Sequence, residues 1–257
     1  MCYRRRMPIA FTRAVSPRLA ECETTQTERV DVARAVAQHA AYEQALRDAG
    51  FDLRRLPPLD DFPDGVFVED TALLLGEHAV ILRPGAPSRA GETESTAAGL
   101  ADHFRLHRLT SGQVDGGDVL RIGRTLYVGI STRTDLAGIR ALGELVAPLD
   151  YGVVPVPVAG GLHLKSAVTA VNDLLVHNPA WVAPHHFAGT DALAVAPGEP
   201  LGGNVLLAGD TVIAAADSPR TTEALAARGF AVVTLDISEM RKADAALTCM
   251  SLLSETV

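Results

Sequence analysis

The sequence predicts an α/β fold built from ββαβ units repeated around an axis, a five-fold pseudosymmetric α/β-propeller. Three observations point there. Short apolar runs of strand length alternate with turn residues. Segments of helical period stand between them. Finally, three segments resemble one another: EDTALLLGEHAVILRPGAPSRAGETE, GDVLRIGRTLYVGISTRTDLAG and GNVLLAGDTVIAAADSPRTTEAL. Each opens on a polar residue (Asp70, Asp118, Asn204) and continues through strand, tight turn and strand. A Ser with a nearby Arg then precedes a helix, where Ser or Thr can cap. Two further segments fit loosely, one around LHLKSAVTAVNDLLVHN and one pairing LTCMSLL with IAFTRAV. Repeats spaced by roughly 40–50 residues are typical of propellers and arrays. The arrangement gathers the polar starts of the first strands at one mouth. An ordinary α/β sandwich with chance similarity is the alternative.

Element by element, VDVARAVAQHAAYEQALRDAG reads as a helix with Val32, Ala35, Val36, Tyr42 and Leu46 on one face. His39 and Glu43 interrupt that stripe, and Gly50 ends it. ETESTAAGLADHF, TDLAGIRALGELVAPL and TTEALAARG read as further helices, the last closed by Gly229. VFVEDTALLL, HAVILRP, GDVLRIG, TLYVGIS, GVVPVPV, NDLLVHN, NVLLAG, TVIAAA and FAVVTLD read as strands. No Pro/Ser linker divides the chain, so residues 1–257 are taken as one domain. Residues 1–6 read as a disordered extension, with Met7 as an alternative start.

Apolar residues make up 47% of the chain and charged residues 21%, as in a globular protein with a substantial core. A net charge of −8 argues against nucleic acid and suits a cationic partner. Three cysteines without paired spacing form no disulfide framework, which points to a reducing cytoplasm. No run approaches the roughly 20 apolar residues a membrane span needs. Eight histidines occur without HExxH or CxxC, and no nucleotide-binding glycine pattern is present, so no metal and no cofactor are expected.

Polar groups inside apolar context mark the candidate chemistry. FPDGVFVED supplies Asp64, Glu69 and Asp70; VDGGDVL supplies Asp115 and Asp118; GLHLKS supplies His163 and Lys165. Arg89 and Arg133 precede repeat helices, and Cys249 lies in LTCMS. Charged groups in such runs are costly unless paired, so clustered carboxylates call for a cation. Each residue also has an ordinary reading. A lone cysteine is commonly a small core residue. Asp115 and Asp118 flank two glycines and could hold a turn. His163 could be structural, and the two arginines could be solvated.

Together these stretches resemble the dimethylarginine dimethylaminohydrolase family, guanidino-modifying enzymes with the pentein α/β-propeller fold. The resemblance runs from FTRAV through FPDGVFVED, RPGAPSR, VDGGDVL, STRT, GLHLKS and GGNVL to RKADAALTCMSL. It implies Cys249 as nucleophile, His163 as general acid/base and Asp115 as its orienting acid. It implies that Asp70, assisted by Glu69, holds the guanidinium. Asp64 and the carbonyl of Ala243 would bind the α-amino group, and Arg89 and Arg133 the α-carboxylate. A mobile lid is implied over RLAECETTQTER, which departs from the family's pattern and is given no contact; Cys22 lies there.

The implied activity is hydrolysis of Nω-methylated arginine to citrulline through a covalent thiouronium on Cys249. The enzyme class is a hydrolase of linear-amidine C–N bonds. Paired hydrogen bonds from carboxylates hold a guanidinium in plane, and a thiolate suits its weakly electrophilic carbon. Cys249 is expected to ionise when a cation is present. Related arginine deiminases carry an Asp two residues after the histidine, where this chain has Lys165. The missing carboxylate favours a methylated guanidinium. The partner expected is a small cationic amino acid, with a homodimer as the assembly and neither nucleic acid nor membrane. Arginine deiminase or another guanidino hydrolase is the second reading, and a non-catalytic binding propeller the third.

Overall fold

Five three-stranded sheets ring the molecule, one for each expected repeat. The computed structural model describes residues 7–187 and 189–254, so the extension expected over residues 1–6 lies outside the described residues. Four sheets follow the chain directly: Ala72–Leu75, His78–Ile81 and Arg105–Arg108; Val119–Ile122, Thr125–Ile130 and Gly152–Pro157; Val168–Val171, Leu174–His177 and Asp191–Ala194; Leu206–Ala208, Thr211–Ala215 and Ala231–Leu235. The fifth joins the two ends: Leu252–Leu253 pairs with Ile9–Thr12, which pairs with Asp52–Arg55. In every sheet the first two strands are antiparallel and the last two parallel.

Turn chemistry sets the antiparallel pairs. Gly76, Gly123, Asn172 and Gly209 open the four hairpin turns with φ of 59°, 57°, 54° and 58°, a left-handed backbone that two-residue hairpins favour and glycine adopts freely. A parallel partner needs a longer crossover. Helices supply it in four units: α1 (Val32–Asp48), α2 (Glu92–Leu100), α3 (Leu136–Val146) and, after a single-turn helix α4 (Leu164–Ala167), α5 (Pro219–Ala227). The unit between His177 and Asp191 crosses with only a 3₁₀ turn at Pro184–His186. A further single turn, α6 (Ser238–Arg241), leads toward Cys249.

Helix α1 corrects the expected stripe. Ala35, Tyr42 and Leu46 are buried, but Val36 is exposed, while His39 and Glu43 are buried. The face is set by what the neighbouring sheet offers. Glu43 accepts hydrogen bonds from Thr12 Oγ1 (2.8 Å) and from Arg55 Nε and Nη2 (2.8 and 2.6 Å). Asp31 caps α1 through the Arg34 N–H. Of the serines expected to cap the repeat helices, Ser218 stands at the N-cap of α5 without a side-chain bond to the helix, Gly91 takes that place in α2, and Asp135 caps α3 through the Gly138 N–H. Ser131 instead donates to Asp118.

VFVEDTALLL is only partly strand. Val68–Thr71 form a 3₁₀ turn and the strand begins at Ala72. The same device recurs at Gly116–Asp118 before Val119 and at Thr248–Met250 before Leu252, while α4 stands before Val168. Four inner strands thus open on a tight turn bearing polar side chains. Arg13 of FTRAV is fully buried and donates to the Gly65 carbonyl (2.7 Å) and the Pro57 carbonyl (3.0 Å), pinning the loop that carries Asp64. Among the described residues no helix is long and apolar enough to cross a membrane.

Glu43→Ala leaves Thr12 and Arg55 without their acceptor. It is expected to cost about 2 kcal/mol in urea unfolding. A loss below about 0.5 kcal/mol, the range of ordinary surface changes, contradicts that assignment.

Candidate active site

Eight of the nine residues singled out for a site line one cavity: Asp64, Asp70, Arg89, Asp115, Arg133, His163, Ala243 and Cys249. The tight turns bring them there from distant parts of the chain. Glu69 is the exception. It lines the adjoining cavity, where Lys165 Nζ donates to it at 2.6 Å and Thr248 Oγ1 at 2.9 Å.

His163 stands at the N-terminus of α4 and is 5% exposed. Its Nε2 lies 3.0 Å from Asp115 Oδ2. Asp115 Oδ1 accepts the Gly85 N–H at 2.7 Å, which fixes the carboxylate against His163, while its carbonyl accepts the Asp118 N–H at 3.0 Å and opens the turn. Burial opposes a charged imidazole. Asp70, the Asp115 hydrogen bond and Asp118 outweigh it and raise His163 to about 9. His163 therefore rests as an imidazolium at neutral pH. Asp118 Oδ1 accepts the Leu164 N–H at 2.8 Å and so anchors the turn beneath the ring.

Cys249 is partly exposed, and its Sγ accepts the Ala246 N–H at 3.4 Å. Burial, with Glu69 and Asp70 adding to it, pushes the thiol up to about 12. A neutral thiol at rest agrees with the expectation that ionisation awaits a cation.

Asp70 accepts the Gly117 N–H at Oδ1 (2.9 Å) and Arg89 Nη1 at Oδ2 (2.5 Å). Burial works against its charge, but His163 and Arg89 prevail and hold it below the usual carboxylate range. Arg89, 5% exposed, also forms a two-pronged pair with Glu92 (3.0 and 2.8 Å) and donates to the Phe67 carbonyl (2.8 Å). It binds the protein's own acids before any ligand. Burial raises Asp64 to about 6, against the pull of Arg89. Asp70, Asp115 and His163 offer ligand atoms within 4.8 Å of one another. Each is already engaged by Arg89, Gly85, Gly117 or its neighbour in the trio, a donor set arranged as an acid–base cluster rather than a metal cage.

The double glycine of VDGGDVL follows from this crowding. A Cβ on Gly116 would meet the Glu69 carbonyl at 1.9 Å. One on Gly117 would lie 2.6 Å from His163 Nδ1 and 3.0 Å from Asp70 Oδ1.

No family model matches the chain. The dimethylarginine dimethylaminohydrolase of Streptomyces coelicolor is 41% identical over 94% of this chain and 95% of its own. The chain belongs to the dimethylarginine dimethylaminohydrolase family. The family's enzyme from Pseudomonas aeruginosa, solved as a cysteine-to-serine mutant complexed with citrulline, superposes with a TM-score of 0.93. The match is 31% identical and covers 96% of this chain and 99% of that one. A dimethylarginine dimethylaminohydrolase adduct with S-methyl-L-thiocitrulline gives the same score and identity, covering 96% and 100%. The expected pentein architecture is the one observed.

Sequence reasoning missed several residues at this family site. Phe67, Leu162, Asp244 and Ala245 also line the cavity, as does Glu23 of the lid stretch. Phe67 and Leu162 lie within FPDGVFVED and GLHLKS but are apolar, so nothing in their type separated them from core. Asp244 follows Ala243, and a carboxylate beside a carbonyl implied to bind substrate was the available signal. Glu23 had none, because nothing local ties it to Arg133, 110 residues away.

Gly117→Ala is expected to push His163 off Asp115. Turnover should fall about a hundredfold, the usual cost of misplacing a reacting group, with far-UV circular dichroism unchanged. Wild-type turnover in this variant contradicts the packing argument.

Proposed function

We propose that this chain hydrolyses Nω-methylated L-arginine to L-citrulline, releasing dimethylamine or methylamine. One observation carries the reading: Cys249, the His163–Asp115 pair and an ionised Asp70 share one cavity. The citrulline complex and thiocitrulline adduct of the relatives support it.

In this mechanism Asp70 holds the guanidinium in plane and places its carbon beside Cys249. The ligand's charge lowers the thiol's pKa, and a proton leaves for solvent. Sγ then bonds to the guanidinium carbon. As the C–N bond to the methylated nitrogen breaks, His163 gives that nitrogen a proton and the amine departs. A thiouronium remains on Cys249. Neutral His163 next takes one proton from water, whose oxygen bonds to the same carbon; the C–S bond then breaks as the remaining hydroxyl proton passes to the sulfur, leaving citrulline, the resting thiol and an imidazolium. Asp115 holds one ring nitrogen throughout, leaving the other for these transfers.

Preference for methylated substrate rests on Lys165. Its ammonium occupies Glu69, leaving Asp70 as the carboxylate aimed at the guanidinium from the cavity wall. Nitrogens that carry methyl groups need no acceptor. Arginine would bury donors without partners, a penalty that discriminates strongly. Glu69 then acts on the thiol's charge rather than as a direct guanidinium ligand.

Citrulline formation from asymmetric dimethylarginine, monomethylarginine and arginine tests the proposal. Both methylated substrates should turn over, and arginine should be slower by about a hundredfold or more. Cys249→Ser should abolish both product and the adduct trapped by rapid quench. Ammonia from arginine at a comparable rate would favour a deiminase, and no citrulline from any substrate would overturn the reading.

The pH dependence follows from the resting charges. The resting pair holds two protons, on a thiol near 12 and an imidazole near 9. The attacking pair, thiolate with imidazolium, holds one. The specificity constant kcat/KM should therefore rise with pH until about 9, where one proton has already gone. It should fall more steeply below about 6, where Asp64 takes up a proton and stops drawing the α-ammonium. A flat profile between about pH 6.5 and 8.5 would contradict these assignments.

A further inference from the structure

The lid stretch enters the cavity through one side chain. Arg133 Nη2 donates to Glu23 Oε2 at 2.9 Å, and Ser88 Oγ donates to the other carboxylate oxygen. The backbone N–H of Glu23 donates to Asp64 Oδ2 at 3.2 Å. Glu23 thus sets a carboxylate on one residue proposed to hold the substrate's α-carboxylate. It sets an N–H on the residue proposed to hold the α-ammonium. Its neighbours keep it there. Asp244 accepts from Thr25 N (2.6 Å), Thr25 Oγ1 (2.8 Å) and Gln26 Nε2 (2.6 Å), and Thr24 Oγ1 donates to the Lys242 carbonyl (2.8 Å). The remaining free space is about 30 Å³, enough for a water or two but not for an amino acid.

The charges make this a competition. Arg89 is saturated by Glu92, Asp70 and the Phe67 carbonyl, so an incoming α-carboxylate depends on Arg133. Two carboxylates on one guanidinium repel each other. A binding-competent state populated only in part raises the apparent dissociation constant in proportion.

We infer that Glu23 is a specificity-determining residue, an internal carboxylate that competes with the substrate's own for Arg133. It handicaps α-amino acids relative to guanidines that lack a carboxylate. The inference rests on the substrate contacts proposed above.

The test compares wild type with Glu23→Gln, which keeps the size of the side chain and a hydrogen bond to Ser88. Calorimetry with L-citrulline should show Kd falling about five- to tenfold, the scale of one partly exposed charge-assisted contact. KM for monomethylarginine should fall by a similar factor, with kcat changing less than about twofold. Decarboxylated monomethylarginine, which has no carboxylate to place on Arg133, should keep its KM within about twofold. Equal citrulline affinity in the two proteins overturns the assignment, as does an equal shift for both substrates, which would mark a general loosening of the lid. Failure of the functional reading shows separately, as wild type that forms no citrulline from any methylarginine.

Discussion

The buried pair of Arg89 and Asp70 is the contact on which the rest of the mouth depends. Burying several carboxylates together is prohibitive without a compensating cation. Arg89 supplies it, with a guanidinium facing Asp70, Glu92 and the Phe67 carbonyl at once. The pair also sets the chemistry. Because Asp70 stays ionised, it raises His163 and contributes to raising Cys249. A contact that first looks structural thereby contributes to the resting protonation of Cys249 and of His163.

The fold makes that concentration of charge possible. Four of the inner strands directly follow a tight turn, and those turns carry polar side chains to the mouth of the ring. Backbone amides become ligands: Gly117 and Leu164, in those turns, bond Asp70 and Asp118, and Gly85, in the loop after His78–Ile81, bonds Asp115. Such bonds stabilise carboxylates without adding mobile cations. The glycines are small where the turns crowd together and left-handed where the hairpins reverse.

Much of this was legible in the sequence. Repeats with a polar opening, apolar strand and hairpin turn revealed the five units, because hairpins and inner strands carry strong local signals. The outer strands DLRR, RLHR and DALA were missed. DLRR and RLHR are mostly polar and DALA is alanine-rich; none is fully buried, and each takes strand form by parallel pairing with a neighbour. The α1 stripe misled at Val36, which is exposed; Glu43 lies on the buried face as its position implies, and what was not legible is its partner, Arg55 on such an outer strand. Site residues were legible as costly charges in apolar runs. Their pairing was not: that Glu69 would turn to Lys165, and Arg133 to Glu23, depends on contacts across 96 and 110 residues.

The fifth sheet gives the molecule a clasp. Leu252–Leu253 lies against Ile9–Thr12, and Ser254 exchanges hydrogen bonds with Ile9 through its hydroxyl and its backbone N–H. Cys249 sits three residues before that clasp. The station of the sulfur is thereby tied to the pairing of the first and last described strands, 245 residues apart along the chain.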